Sequence, residues 1–204
     1  MTVTEAFYLS IDPSTDVLAS LQICHLSLAH VGEDPLLWKG VIIAFHSALQ
    51  GAIAAHLTGT HGTGALVKKD AEQLSVALHD RDCPYPKKTR LADPGTLWKR
   101  MRREDLRVPD TNSGGGIVPT QYQTRAFKKL KDCRNDLTHF EVSGWFINLS
   151  GLPKILAELC DILDQIDKNG WAFRHLENSQ RKRLRDLIQE IPKQALAIGA
   201  IEAP

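Results

Sequence analysis

The stretch LLWKGVIIAFHSALQGAIAAHL, residues 36–57, decides the fold. At 22 residues it is long enough to cross a bilayer, which takes about 20 apolar residues. It contains Lys39, His46, Gln50 and His56, which interrupt it. Leu37, Val41, Phe45, Leu49 (or Ala48), Ala52 and Ile53 recur at helical spacing and leave the polar residues mainly on other faces. The pattern predicts the buried central helix of an all-α protein rather than a membrane span. Pro35 opens that helix, and the glycine-rich residues 59–64 close it.

Similar punctuation extends outward in both directions. Asp12-Pro13-Ser14 is a helix start, and Val17, Leu21, Cys24, Leu28 and Val31 carry a first helix over 14–31 to the stop at Gly32. After the central helix, a third is expected over 65–79 with Leu74 and Leu78 inward, then a loop over 81–93 holding Pro84, Pro86 and Lys87-Lys88. A short helix follows over 94–105. Residues 108–118, with Gly114-Gly115-Gly116 between two prolines, read as flexible-loop chemistry suited to a lid or a variable insertion.

Pro119 restarts a helix that carries Phe127, Leu130, Cys133 and Leu137 on one side, with Arg125, Lys128, Lys129 and Lys131 around it. Partial alternation at Trp145, Ile147 and Leu149 fits a short extended or hairpin-like segment over 140–149. Gly151 and Pro153 then open a helix with the stripe Ile155, Leu159, Ile162 and Ile166. A last helix over 178–191 turns Leu184, Leu187, Ile188 and Ile191 inward and Arg181-Lys182-Arg183 outward. The expected architecture is an all-α bundle with long loops and no internal repeat, forming one domain over 1–204.

The totals constrain function. With 204 residues, 43% of them hydrophobic, the chain can bury one sizeable core without disulfides. Against 25 Lys and Arg stand 24 Asp and Glu, so any attraction to an anionic partner must be local. Cys24, Cys83, Cys133 and Cys160 are far apart with no Cys-x-x-Cys pair, which points to a reducing, cytoplasmic setting. Residues 2–13 carry Glu5 and Asp12 but no basic residue, unlike a secretion signal. Neither export nor a membrane partner is expected.

Chemistry concentrates in Arg134-Asn135-Asp136-Leu137-Thr138-His139, where the basic helix ends. Metal-independent RNA cleavage needs a base for the 2′-hydroxyl, an acid for the departing 5′-oxygen, and positive charge against the developing phosphorane. His139 can serve as base or acid. Arg134, always charged and able to grip two phosphate oxygens, suits the third role. Asn135 lies four residues before His139 on a shared helical face and can orient the imidazole, while Asp136 can favour its protonated form. Lys131, with Lys128 and Arg125 on the same helix, supplies positive potential along an RNA strand. Positions five apart on a regular helix point about 140° from each other, so Arg134 and His139 meet only if the helix unwinds or a partner completes the site.

Arg134-Asn135-x-x-x-His139 resembles the Arg-x(4–6)-His signature of the HEPN superfamily, including the polar residue that commonly follows its arginine. The run Asn135-Asp136-Leu137-Thr138-His139-Phe140 followed by Gly144-Trp145 looks like an uncharacterised prokaryotic branch of it. The resemblance implies a HEPN-like helical bundle, usually a homodimer, whose two motifs face each other as an endoribonuclease site that uses no metal or other cofactor. It also implies a setting in toxin–antitoxin, phage-defence or RNA-processing systems, with an antitoxin protein as a candidate partner. Some members of the superfamily are catalytically inactive, and the alternative for this chain is a silent helical module that binds RNA or protein.

Competing sites are weaker. His25, His30, His46 and His56 lack a His-x-x-x-His pair or a zinc motif, although His46 or Gln50 would line the site if their face turns toward it. Glu158, Asp161, Asp164 and Asp167 step by threes around the face opposite the apolar stripe, as solvated residues do. The glycine-rich loops lack the following Lys-Ser/Thr of a nucleotide loop. The basic runs 99–103 and 181–185 are secondary RNA contacts at best.

Overall fold

Asp12 starts the first helix, α1 (Pro13–Leu28). Its carboxylate accepts from the backbone N–H groups of Ser14 and Thr15, and Thr15 Oγ1 accepts from the Asp12 N–H in return. This reciprocal cap satisfies donors that a helix start leaves free. The computed structural model, which describes residues 9–139, 144 and 146–201, continues with a 3-10 turn at Pro35–Leu37 and α2 (Trp38–Thr58). Then follow α3 (Lys68–His79), α4 (Pro94–Met101), a second 3-10 turn at Glu104–Leu106, α5 (Gln121–Thr138), α6 (Leu152–Lys168) and α7 (Asn178–Ile201). The described residues hold no strand, only two isolated antiparallel bridges, Leu66 with Leu91 and Val108 with Ser113. The fold is all-α.

Helix α2 runs through the centre, with fourteen of its 21 residues buried. Its apolar surface is covered by α1, α4, α5 and α6, so the length and hydropathy that mimic a membrane span serve here as core. Two glycines let α1 approach closely. A Cβ on Gly51 would stand 2.9 Å from Val17 Cγ2, and one on Gly40 would stand 2.9 Å from Ser27 Oγ. Helix α7 packs on α1 and α6, and one apolar cluster takes residues from every helix but α3.

Helix α5 is held from two sides. Trp98 of α4 stacks on Phe127, ring centroids 4.2 Å apart, and Gln123 Nε2 donates to the Glu158 carbonyl of α6 at 3.2 Å. A capping box between Thr120 and Gln123 sets its start. The end of this helix, which carries the motif, therefore has a defined direction relative to α2 and α6.

Several expectations change. Helix α7 runs past Ile191 and through Pro192, a residue that normally ends a helix by removing one N–H donor and crowding the preceding turn. The inward stripe continues to the buried Ala195, and Gly199 approaches Pro153 at the start of α6, so packing outweighs the local stop signal. In α3, Leu78 is exposed, and Asp70 and Ala77 are the buried residues. Asp70 accepts from the Arg90 backbone N–H at 2.7 Å and from its guanidinium at 3.0 and 3.2 Å, which ties down the end of the proline-containing loop.

The triple glycine lies in a loop that is packed against backbone rather than open to solvent. Gly114 and Gly115 are buried, and a Cβ on them would stand 2.0 Å from the Leu106 carbonyl oxygen and 1.5 Å from that of Arg103. Gly114 also has a φ of +89° and donates its N–H to the His56 carbonyl at 2.9 Å. Glycine is required because backbone crosses backbone here. Of the extended segment expected over 140–149, residues 140–143 and 145 lie outside the described residues; 144 and 146–149 form no strand, and Ile147 and Leu149 pack against the core.

Candidate functional site at the end of helix α5

Ala126, Phe127, Leu130 and Cys133 form the buried face of α5. Arg134, one turn beyond Leu130, falls at the edge of that face and is half-buried, as is Lys131. Arg125 and Lys128 are exposed on the outer side. The four basic residues singled out by the sequence therefore divide, with Lys131 and Arg134 toward α2 and Arg125 and Lys128 toward solvent.

The helix stops between the two members of the motif. Thr138 turns its hydroxyl back to donate to the carbonyls of Arg134 at 3.0 Å and Asn135 at 3.2 Å, competing for backbone acceptors in the way that weakens a last turn. His139 is the C-cap, with extended backbone at φ −103° and ψ 102°, and its N–H donates to the Asn135 carbonyl at 2.9 Å. The imidazole is exposed. The 140° separation of a regular helix thus does not apply to His139. No hydrogen bond among the described residues joins its side chain to Arg134.

Asn135 is engaged differently from the sequence expectation. Its Oδ1 accepts from Arg134 Nη1 at 3.1 Å, so the amide braces the arginine, while its link to His139 runs through the backbone. Neither Arg134 nor Lys131 is ion-paired to a carboxylate among the described residues, and no ion pair there joins Asp136 to His139. Lys131 and Arg134 thus present positive charge at this corner that no ion pair among the described residues cancels, with Asp132 and Asp136 on the same turns of the helix.

His46 of α2 is 3% exposed, and its Nε2 has no hydrogen-bond partner among the described residues. Burial first, and then the positive charges of Arg134 and Lys131, push its pKa down to about 4. The ring is neutral at pH 7 and presents an acceptor lone pair. The sequence offers His46 only on condition that its face turns toward the motif; the charges of Arg134 and Lys131 are near enough to act on its ring. A second buried histidine, His56, is fully covered, and neither ring nitrogen has a partner at hydrogen-bonding geometry among the described residues. Burial lowers it to about 4 as well, with the Gly115 backbone opposing part of the shift.

Several of the remaining candidates are engaged elsewhere. Arg100 Nη1 donates to the carbonyls of Gly64 and Leu66, and Arg103 pairs with Asp105. Arg183 pairs with Glu190, and Arg185 Nε meets Asp167 Oδ2 at 2.7 Å. Asp167 is thereby buried, unlike the solvated acidic residue expected at that position. No group of three or more metal-ligating side chains occurs among the described residues. A 560 Å³ cleft lies elsewhere, between the end of α2, α3 and α4, and includes His61, Lys68, Glu72 and Arg100 in its walls. Neither it nor a 500 Å³ groove between α1 and α2 is lined by Arg134 or His139. Comparison of the chain with protein-family models, with curated proteins and with solved structures found no match in any of the three.

Proposed function

We propose that the chain is a metal-independent endoribonuclease of the HEPN type, acting as a homodimer on RNA. The observation that carries this reading is the end of α5, where a half-buried arginine braced by an amide is followed by an exposed histidine that has left the helix. Arg134 is charged at every working pH and offers planar, paired donors to a phosphate. His139, on extended backbone, is free to approach a 2′-hydroxyl or a 5′-oxygen. In the reaction, the 2′-oxygen loses its proton and attacks phosphorus, the bond from phosphorus to the 5′-oxygen breaks, and that oxygen takes a proton. The products are a 2′,3′-cyclic phosphate and a 5′-hydroxyl. Two copies would supply one His139 as base and the other as acid, with both arginines against the phosphorane.

A surface suited to a second copy supports the dimer. Ile23, Leu26 and Leu36 are exposed, and the 500 Å³ groove beside them includes Gly40, Ile43 and Ala44. Ile43 stands one turn before His46, so the apolar surface adjoins the positive corner along α2. Lys128 and Arg125, exposed along α5, would carry the RNA backbone toward the motif. Cytoplasmic action on RNA in a toxin–antitoxin or phage-defence setting, with an antitoxin protein as partner, belongs to the same reading.

The test is incubation of the purified protein with single-stranded RNA in excess chelator. Shortened products are expected from the natural chain and none from Arg134→Ala or His139→Ala. Cutting that requires an added divalent cation, or that persists in both variants, refutes the reading.

A further inference from the structure

We infer that His46 is a positioning residue for Arg134: its Nε2, buried and unpartnered where α2 packs on α5, accepts an N–H of the Arg134 guanidinium when that group turns to grip phosphate. The inference rests on the nuclease reading for its consequence, but not for its geometry. A buried acceptor without a donor costs about 1–3 kcal/mol, and among the described residues this one has none, while the Arg134 charge is near enough to act on the ring. Arg134 has five N–H groups, of which one on Nη1 is directed to Asn135 Oδ1. The amide oxygen on one side and the imidazole nitrogen on the other would fix the plane of the guanidinium and leave its remaining edge for two phosphate oxygens.

The chemistry of the corner agrees. A protonated imidazole would repel Arg134 and Lys131, whereas the neutral ring that burial favours keeps one acceptor nitrogen for a donor. A leucine at position 46 would pack about as well and accept nothing; a glutamine would keep an acceptor oxygen at similar reach. These two substitutions separate positioning from packing.

The experiment has two arms on the full chain. In the first, cleavage of an RNA oligonucleotide is measured for His46→Leu and His46→Gln, with thermal melting as a check of folding. His46→Leu is expected to lower kcat about tenfold to a hundredfold with KM little changed, as a misaligned catalytic group does, and His46→Gln is expected to recover most of the rate. A folded His46→Leu protein that cuts at the natural rate, or a His46→Gln protein as impaired as the leucine variant, overturns the inference.

The second arm reads the imidazole nitrogens by nitrogen-15 NMR in the natural chain and in Arg134→Ala, with a short 2′-O-methyl RNA added as an uncleavable phosphate ligand. The His46 Nε2 resonance is expected to move on adding this RNA to the natural chain and to stay still in the variant. A resonance indifferent to both Arg134 and RNA overturns the inference. If the natural chain cuts no RNA at all, the nuclease reading fails by itself, and the second arm still decides whether His46 and Arg134 are coupled.

Discussion

Lowering the pH from 7.5 to 5 should destabilise this protein through two residues, His46 and His56. Both are buried with pKa values pushed down to about 4, against about 6.5 for an exposed histidine in the unfolded chain. A histidine depressed on folding favours the neutral form, so its stability contribution is complete above the unfolded value and falls as the pH drops toward the folded one. At pH 5 the unfolded chain carries nearly a full proton on each ring, and the folded chain carries about a tenth of one. Linkage then removes about 2 kcal/mol per histidine between pH 7.5 and 5, about 4 kcal/mol for the pair.

Other shifted groups leave this window clear. Asp70, Asp93 and Asp105 are held below their ordinary range by Arg90, by Thr96 and by Arg103 respectively. Their contribution is present above about pH 4 and is lost only below it. Urea unfolding followed by circular dichroism measures the effect. With a slope of about 2 kcal/mol per molar urea, the midpoint should fall by about 2 M across the window. His46→Gln should remove about half of that pH dependence. A midpoint that moves by less than about 0.5 M, or an unchanged dependence in His46→Gln, would show that the burial argument is wrong.

Two further perturbations test the packing around the site. Gly115→Ala places a Cβ against the Arg103 carbonyl oxygen, backbone on backbone with nothing flexible to yield, and should cost about 3 kcal/mol or more by urea unfolding; a loss under about 1 kcal/mol would mean the segment is as pliant as its three glycines suggest. Asp70→Ala removes the acceptor for the Arg90 backbone and guanidinium, and trypsin should then cut faster after Lys87, Lys88 or Arg90 while the rest of the chain stays resistant. Equal cutting rates in the two proteins would leave that clamp without a role.

Sequence made the central features legible where a local pattern and the tertiary outcome agree. The periodic apolar residues of α2, broken by Lys39, His46, Gln50 and His56, mark a core helix, and α2 is one. Asp12-Pro13-Ser14 marks the start of α1, one residue from where it begins. The pattern misleads where a distant segment decides. Gly114-Gly115-Gly116 reads as flexible because nothing local says that the Arg103 and Leu106 carbonyls lie against it. Pro192 reads as a stop because the packing of Ala195 and Gly199 is invisible from its neighbours.

The candidate site divides in the same way. Arg134, Asn135 and His139 stand out by residue type and spacing, and the helix end that frees His139 was one of two solutions the 140° geometry allowed. The bond from Arg134 to Asn135 was not foreseeable, because residues adjacent in a helix do not face each other and only the extended reach of an arginine brings them together. His46 was legible as a polar interruption of the core helix. The influence of Arg134 on its ring depends on how α2 and α5 pack, which residue spacing within either helix does not encode.

If Arg134 and His139 cut RNA through its 2′-hydroxyl, the ends of the products carry the mark of that chemistry. An oligoribonucleotide is cut in the presence of chelator, the products are weighed by mass spectrometry, and the same oligonucleotide is prepared with a 2′-deoxy sugar at the cleaved position. The expected result is a 2′,3′-cyclic phosphate facing a 5′-hydroxyl, with no cutting at the 2′-deoxy position. Products ending in a 3′-hydroxyl, or undiminished cutting at the 2′-deoxy sugar, contradict it.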